Sequence, residues 1–323
     1  MFTNKKALVI GGTGLIGRKV VDELVKMRAT VFSVSIDSLR PNPNAHYVQG
    51  NLANYRNCLD IIDGYDFVFH CAGVKGSAKM TKEMPASMFV TPLQMNTNIL
   101  EACRVNKVGQ VVFVSSIGAY PDVGILRENV THGEPMDAAP GWVKLMAELQ
   151  IKYYVEQYDL KNFSVVRPCA VYGEGDNFDP ATAMFIPALM AKIARDDNPV
   201  EVWGDGSEIR EVAYSGDIAT GIIQAVVIST KGQFVNLGTG KGYSIKEIVD
   251  TMHGIVEFKH EYMPSKATGQ KLRIMDISLA KKLLGYSPKV TLAEGLKRTW
   301  DWFIAHKDEY KRRYNQFEKD NEK

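Results

Sequence analysis

Near the start of the chain a short aliphatic run, Ala7-Leu8-Val9-Ile10, passes directly into Gly11-Gly12-Thr13-Gly14-Leu15-Ile16-Gly17 and then into a helix-spaced apolar pattern reaching about Lys26. No other feature narrows the fold as much. Glycines at 11, 14 and 17 let the backbone turn tightly, let its amides approach a bound anion, and bring the first turn of a helix up to the strand. A glycine triplet alone is compatible with a merely structural turn. Set between a strand and a helix, it predicts that Gly11, Thr13, Gly14, Leu15, Ile16 and Gly17 cradle the pyrophosphate of a dinucleotide.

Residues 31–36, Phe67–His70 and 111–114 read as further buried strands with helical stretches between them. That alternation predicts an α/β fold, a Rossmann-type doubly wound parallel sheet with helices on both faces. Beyond Arg167-Pro168 the order loosens: Gly, Pro and Asp cluster at 173–180 and 203–207, and shorter helical patterns occupy 183–195 and 244–253. We therefore expect a dinucleotide-binding domain over 1–170, which also receives parts of 210–240, and a smaller α/β substrate lobe over 171–306. A last helix carrying Leu296, Trp300 and Phe303 gives way to a charged tail, 307–323.

Thirty-nine basic and 37 acidic residues give a net charge of +2, and no basic stretch interleaves with aromatics, so nucleic acid is not an expected partner. The opening Met1-Phe2-Thr3-Asn4-Lys5-Lys6 holds no signal-peptide core, and no apolar run spans a bilayer; a soluble, cytoplasmic protein is expected. Cys58, Cys71, Cys103 and Cys169 lack CxxC spacing and lie in apolar segments, which suits reduced, packed thiols. No metal site is expected. An acidic residue about 20 positions past the glycines selects the free ribose 2′-hydroxyl of NAD. Asp37 suits that task, or is an ordinary turn residue, whereas Arg40 could meet the 2′-phosphate of NADP; NAD is slightly preferred.

Two further stretches carry a family resemblance: Val114-Ser115-Ser116-Ile117-Gly118-Ala119-Tyr120-Pro121, and Pro140-Gly141-Trp142-Val143-Lys144-Leu145-Met146-Ala147-Glu148. With the glycine loop they resemble the serine-bearing strand end and active-site helix of the extended short-chain dehydrogenases/reductases, the NAD-dependent epimerase/dehydratase family. The resemblance implies that Ser116 hydrogen-bonds a substrate oxygen as carbonyl and alcohol interconvert, or else merely caps the strand end. It implies that Lys144 holds the nicotinamide ribose, and that Asn51-Leu52 and His70-Cys71-Ala72-Gly73-Val74 form the adenine-side and nicotinamide-side loops. Asn51, Leu52, Ala72, Gly73 and Pro168 thus join the expected cofactor contacts, as does Ser35, which takes the place of the usual acidic residue. His70 reads as a packed residue. One departure matters: where the family has a tyrosine four residues before the lysine, this chain has Pro140, which has no titratable group. Proton transfer then needs another residue, a water chain or Lys144; Tyr120 is a candidate by nearness, with loop packing as its alternative.

The span 6–304 resembles the GDP-L-fucose synthases within that superfamily. The matching stretches are Val171-Tyr172-Gly173 with Asp176-Asn177-Phe178, Phe185-Ile186-Pro187-Ala188-Leu189, Val202-Trp203-Gly204-Asp205-Gly206-Ser207 with Arg210-Glu211, Asn236-Leu237-Gly238-Thr239-Gly240, Ser265-Lys266 with Gly269, and Lys271-Leu272-Arg273-Ile274-Met275-Asp276. The resemblance implies that Asn177 and Phe185 lie over the sugar, that Arg210 and Arg273 pair with a diphosphate, and that Trp203 stacks on a base unless it is a core aromatic. The family's proton-exchanging cysteine and histidine fall on Gly118 and Met184, neither of which can do acid/base work. The expectation is an NAD(P)-dependent oxidoreductase acting at C4 of a nucleotide-linked sugar, GDP-linked by resemblance, as dehydrogenase, 4-keto reductase or 4-epimerase without C3/C5 epimerisation. A different class, a catalytically silent binder acting as sensor or assembly partner, draws its support from Pro140. Apolar residues beyond one face of the helices around 92–105 and 142–158 predict a homodimer.

Overall fold

The computed structural model describes residues 1–73, 78–130, 133–179, 182–266 and 270–309. Val74 of the expected nicotinamide-side loop, Gly269, and 310–323 of the expected tail lie outside the described residues. Strand β1 (Lys6–Ile10) leads into α1 (Leu15–Lys26), β2 (Thr30–Ser35), β3 (His46–Gln49), α2 (Tyr55–Ile62), β4 (Phe67–His70), α3 (Ala78–Glu83), α4 (Pro85–Val105) and β5 (Gln110–Val114). A 3-10 turn (Ile117–Ala119) precedes β6 (Ile125–Leu126), α5 (Ala138–Tyr158), β7 (Phe163–Pro168) and β8 (Ala170–Tyr172). Then come α6 (Phe185–Ala194), β9 (Val200–Trp203), β10 (Ile209–Tyr214), α7 (Ser215–Ile228), β11 (Phe234–Leu237) and β12 (Gly242–Ser244). The chain closes with α8 (Ile245–His253), β13 (His260–Met263), β14 (Leu272–Met275), α9 (Ser278–Leu284) and α10 (Leu292–Ala305).

Seven strands form one parallel sheet in the order β11-β7-β5-β4-β1-β2-β3. Strands β4, β5 and β7 are nearly continuous apolar runs because helices cover both faces of the sheet. Strand order reverses between β1 and β4, where Ile10 is in register with Val34 on one side and His70 on the other. The crevice beyond the carboxyl ends of these two strands is where such a sheet takes a ligand, and the glycine loop and the residues after His70 form its two lips.

The smaller lobe holds the sheet β12-β10-β14-β6, with β8 joined to β10, and the separate pair β9–β13. Its core gathers Phe178 and Phe303, stacked 4.1 Å apart, with residues of α6, α8 and α10. The chain does not stay there. Helix α7 returns to pack along α1, and β11 adds the last strand beside β7. The sequence assigns 171–306 to the smaller lobe apart from parts of 210–240; Met275, Ile277, Ala280, Leu284 and Tyr286 also pack into the core beneath the large sheet.

Two buried polar residues tie these crossings together. Glu211 accepts from the amides of Thr239 (2.5 Å) and Gly240 (2.7 Å) with Oε1 and from that of Met275 (2.6 Å) with Oε2. Burial pushes its carboxyl above the usual range, against those three bonds. Asn236 donates to the carbonyls of Leu126 and Asp276, both at 3.1 Å. No helix among the described residues is long and apolar enough to cross a membrane.

Candidate active site

The glycine loop is built by close approach. Gly11 sits at φ +80°, and a Cβ there would lie 2.8 Å from Ala72 Cα, so only glycine lets the lip after β1 touch the lip after β4. A Cβ on Gly17 would lie 2.1 Å from the Gly11 carbonyl oxygen, which fixes α1 against the turn. Gly14 differs: its Cβ would meet nothing nearer than that same oxygen, at 3.3 Å. No side chain caps α1, which leaves its first-turn amides at Leu15, Ile16 and Gly17 for an outside anion. The loop therefore fits a pyrophosphate.

At the end of β2 the Thr13 hydroxyl donates to Asp37 Oδ2 (2.9 Å) and lies 3.0 Å from Ser35 Oγ. Asp37 Oδ1 accepts from the Leu39 amide at 3.0 Å. These residues, with Arg40 and Tyr47, line a hollow of about 80 Å³. The acidic residue and the arginine that compete for the ribose 2′ position thus share one small cavity. Asn51 is exposed and its side chain accepts from the Ala53 amide at 2.9 Å. Leu52, expected among the cofactor contacts, has its side chain buried in the core against α2 and α4, which leaves its backbone for a ligand. Pro168 closes β7, buried opposite Leu237.

On the other lip, Lys144 of α5 reaches across β5. Its Nζ donates to the Val114 carbonyl (2.8 Å), lies 4.8 Å from the centre of the Phe113 ring, and would stand 3.2 Å from a Cβ on Gly73. Desolvation pushes its ammonium down to about 8, opposed by the Cys71 thiol and the Glu148 carboxylate. His70 lies fully buried with Nε2 2.9 Å from Asn96 Oδ1; burial and then the Lys144 charge push it down to about 3, so it stays neutral and structural. Burial likewise pushes the Cys71 thiol up to about 12, and Cys58, Cys103 and Cys169 are buried, unpaired thiols.

Ser116 stands at the end of β5, half-buried, with its Oγ accepting from the Gly118 amide at 3.0 Å. That bond is a cap, yet it leaves the hydroxyl proton free to donate. Tyr120 is corrected. It is fully buried, its hydroxyl donates to Asn236 Oδ1 (2.8 Å), and burial raises its phenol far above the usual value. It packs under the site and does not open into it. Pro140 occupies the third position of α5, in the first turn, where a missing N–H breaks no helical bond.

A group the sequence reading missed lies beneath. Ser115 Oγ donates to Glu148 Oε1, and Arg167 clasps the same carboxylate through Nε (2.8 Å) and a terminal nitrogen (2.6 Å). The Arg167 guanidinium lies 3.7 Å from the Phe234 ring centre and 4.3 Å from that of Tyr120. The available signal was an arginine ending an otherwise apolar strand.

Across the crevice, Arg210 and Arg273 are register partners on β10 and β14. Burial, and then the Arg273 charge, lower the Arg210 guanidinium from its ordinary value. Arg210 donates to the Ile209 carbonyl (3.0 Å), and a terminal nitrogen of Arg273 lies 3.6 Å from Asp137 Oδ1. Two adjacent guanidiniums of this kind suit a multiply charged anion. Trp203 is 55% exposed, which sets aside the core-aromatic alternative, and Lys266 Nζ lies 5.4 Å over its ring. Asn177 uses its side chain inside its own loop, donating to Thr182 Oγ1 (2.7 Å) and accepting from the Asp179 amide (3.1 Å). Phe185 begins α6 half-buried against the small-lobe core.

A family model described as the NAD dependent epimerase/dehydratase family matches residues 7–238. GDP-L-colitose synthase of Yersinia pseudotuberculosis is 26% identical over 318 residues, covering 94% of this chain and 99% of that protein. A putative UDP-glucose 4-epimerase of Methanocaldococcus jannaschii is 30% identical over 310 residues, covering 91% and 97%. Among solved structures, the UDP-glucose 4-epimerase of Thermotoga maritima with UDP-glucose superimposes with a TM-score of 0.81 at 26% identity, covering 93% of this chain and 99% of that one.

Proposed function

This chain belongs to the NAD dependent epimerase/dehydratase family, and from that premise we propose that it oxidises or reduces C4 of a nucleotide-linked sugar. The observation that carries the reading is the Lys144 ammonium, held at the Val114 carbonyl beside Gly73 where the β4 and β5 ends meet, on the crevice the glycine loop opens. There it donates to ribose hydroxyls, while Ser116 orients the sugar oxygen. A bound nicotinamide supplies hydride chemistry at this lip. Arg210 and Arg273 hold the diphosphate and Trp203 offers a face to the base. Asp37, bonded to Thr13 in the ribose hollow, favours NAD over NADP. Resemblance to GDP-L-fucose synthases and to GDP-L-colitose synthase favours a GDP-sugar over a UDP-sugar.

The small molecules released when purified protein is denatured test this reading. A nicotinamide dinucleotide with a nucleotide sugar supports it; a protein that releases and binds neither overturns it. Pro140 favours the silent-binder reading, under which both ligands bind but the nicotinamide absorbance never changes. Gly118 and Met184 carry no acid or base. The Asp137 carboxylate beside Gly118 can serve only one face of the ring, so we expect no inversion at C3 or C5 of a GDP-4-keto-6-deoxy sugar; an epimerised product seen by NMR refutes that expectation.

A further inference from the structure

The reaction proposed above needs a group that takes or gives the proton on the C4 oxygen, and proline at 140 provides none. We propose that the Asp137 carboxylate is that proton-transfer group, an assignment that rests on the C4 reading. Residues 137, 141, 144 and 148 follow one face of α5, so Asp137 lies two turns from Lys144 on the side that meets the turn after β5. Gly141 brings that face close, since a Cβ there would lie 2.4 Å from the Gly118 carbonyl oxygen.

The placement of the carboxylate is specific. A Cβ on Gly118 would lie 2.2 Å from Asp137 Oδ2 and 2.7 Å from its Cγ. The carboxylate therefore fills the volume that a side chain at 118 would take, two residues beyond Ser116, whose Oγ holds the Gly118 amide. It does not cap its own helix, and its backbone is fixed by Asp137 N to Gly118 O (3.3 Å) and Gly141 N to Asp137 O (3.1 Å). Arg273 orients it from β14 at 3.6 Å. Among the described residues the charged group against it is Arg273, with Arg210 beside that on β10; the 3-10 turn against it, Ile117-Gly118-Ala119, carries none. Its side chain is 42% exposed against 22% for Arg273, so a proton taken up can pass to water. Lys144 is committed to Val114, His70 is buried and neutral, and Tyr120 is enclosed.

In the oxidative direction Asp137 takes the proton of the C4 hydroxyl as its O–H bond breaks. The C4 hydrogen leaves with its electron pair to the oxidised nicotinamide dinucleotide, and C4=O forms. Carbon loses two electrons, the dinucleotide gains them, and the proton goes from carboxyl to solvent.

The test compares the full chain with Asp137→Asn, using NAD with UDP-glucose and with GDP-mannose in single turnovers across pH, and calorimetric affinities for NADH and both sugars. We expect the rate to fall on the order of a hundredfold or more, affinities to hold, and Asp137→Glu to restore part of the rate. Gly118→Ala, whose methyl displaces the carboxylate, should slow turnover without weakening NADH. A parent that turns over while Asp137→Asn keeps its rate overturns the assignment alone. A parent inert with both sugars and binding neither overturns the C4 reading and this assignment together.

Discussion

One methyl group added at Gly14 and one added at Gly17 should report different things. At Gly17 the new carbon meets the Gly11 carbonyl oxygen at 2.1 Å, so Gly17→Ala must open the turn and lower thermal stability. At Gly14 the nearest atom is 3.3 Å away, so Gly14→Ala should leave the melting temperature nearly unchanged while calorimetry shows NADH affinity lost. Unchanged affinity in a folded Gly14 variant would refute the cradle. Lys144 gives a pH signature at the same scale. Desolvation depresses its pKa from 10.5 to about 8, so the ammonium proposed to donate to the cofactor is present well below pH 8, half lost at that pH and largely lost above it. NADH affinity should accordingly decline from about pH 8 upward in the parent, and be weak and flat in Lys144→Met. A parent affinity constant to pH 10 would show that the charge plays no part.

At the scale of elements, what the sequence disclosed follows from who supplies the stabilising contacts. Strands β1, β4 and β5 are largely apolar runs bounded by turns, buried on both faces, and so visible in local pattern. Strands β6 and β14 were not visible. Each runs four residues or fewer, and they pair only where distant segments meet, Ile274 with Ile125 and Met275 with Leu126. The site divided in the same way. The glycine loop was legible in its spacing, and Ser116 and Lys144 in the family resemblance, whereas the Asp137 carboxylate over Gly118 and the Ser115–Glu148–Arg167 group depend on how α5 lies against β5 and β7. That buried group makes a prediction for the element it braces. Glu148→Gln or Arg167→Met alone should destabilise by about 3–5 kcal/mol, because each strands a buried partner. Glu148→Leu with Arg167→Met should recover much of the loss in denaturant titrations; additive losses would mean that the two do not act as a pair.

At the scale of the whole molecule, the described residues of α4 and α5 carry apolar side chains that the chain itself does not cover. Along α4 and α5, Leu93, Trp142, Leu145, Met146 and Leu149 are only half-buried, and Val90 and Tyr153 are 49% and 58% exposed. We expect these two helices to meet their counterparts in a second copy as a four-helix interface. Light scattering at micromolar concentration should then give twice the 36.0 kDa of the chain, and a value of 36.0 kDa refutes it. The return of β11 to the large sheet bears on how such a molecule is born. As the chain leaves the ribosome, β7 emerges with an unpaired edge, and the strand that seals it is not made until much of the smaller lobe has been synthesised. The nascent sheet must keep that edge open past β8, α6, β9 and β10, and any stop in synthesis before residue 234 releases a chain with a bare strand ready to pair with its neighbours.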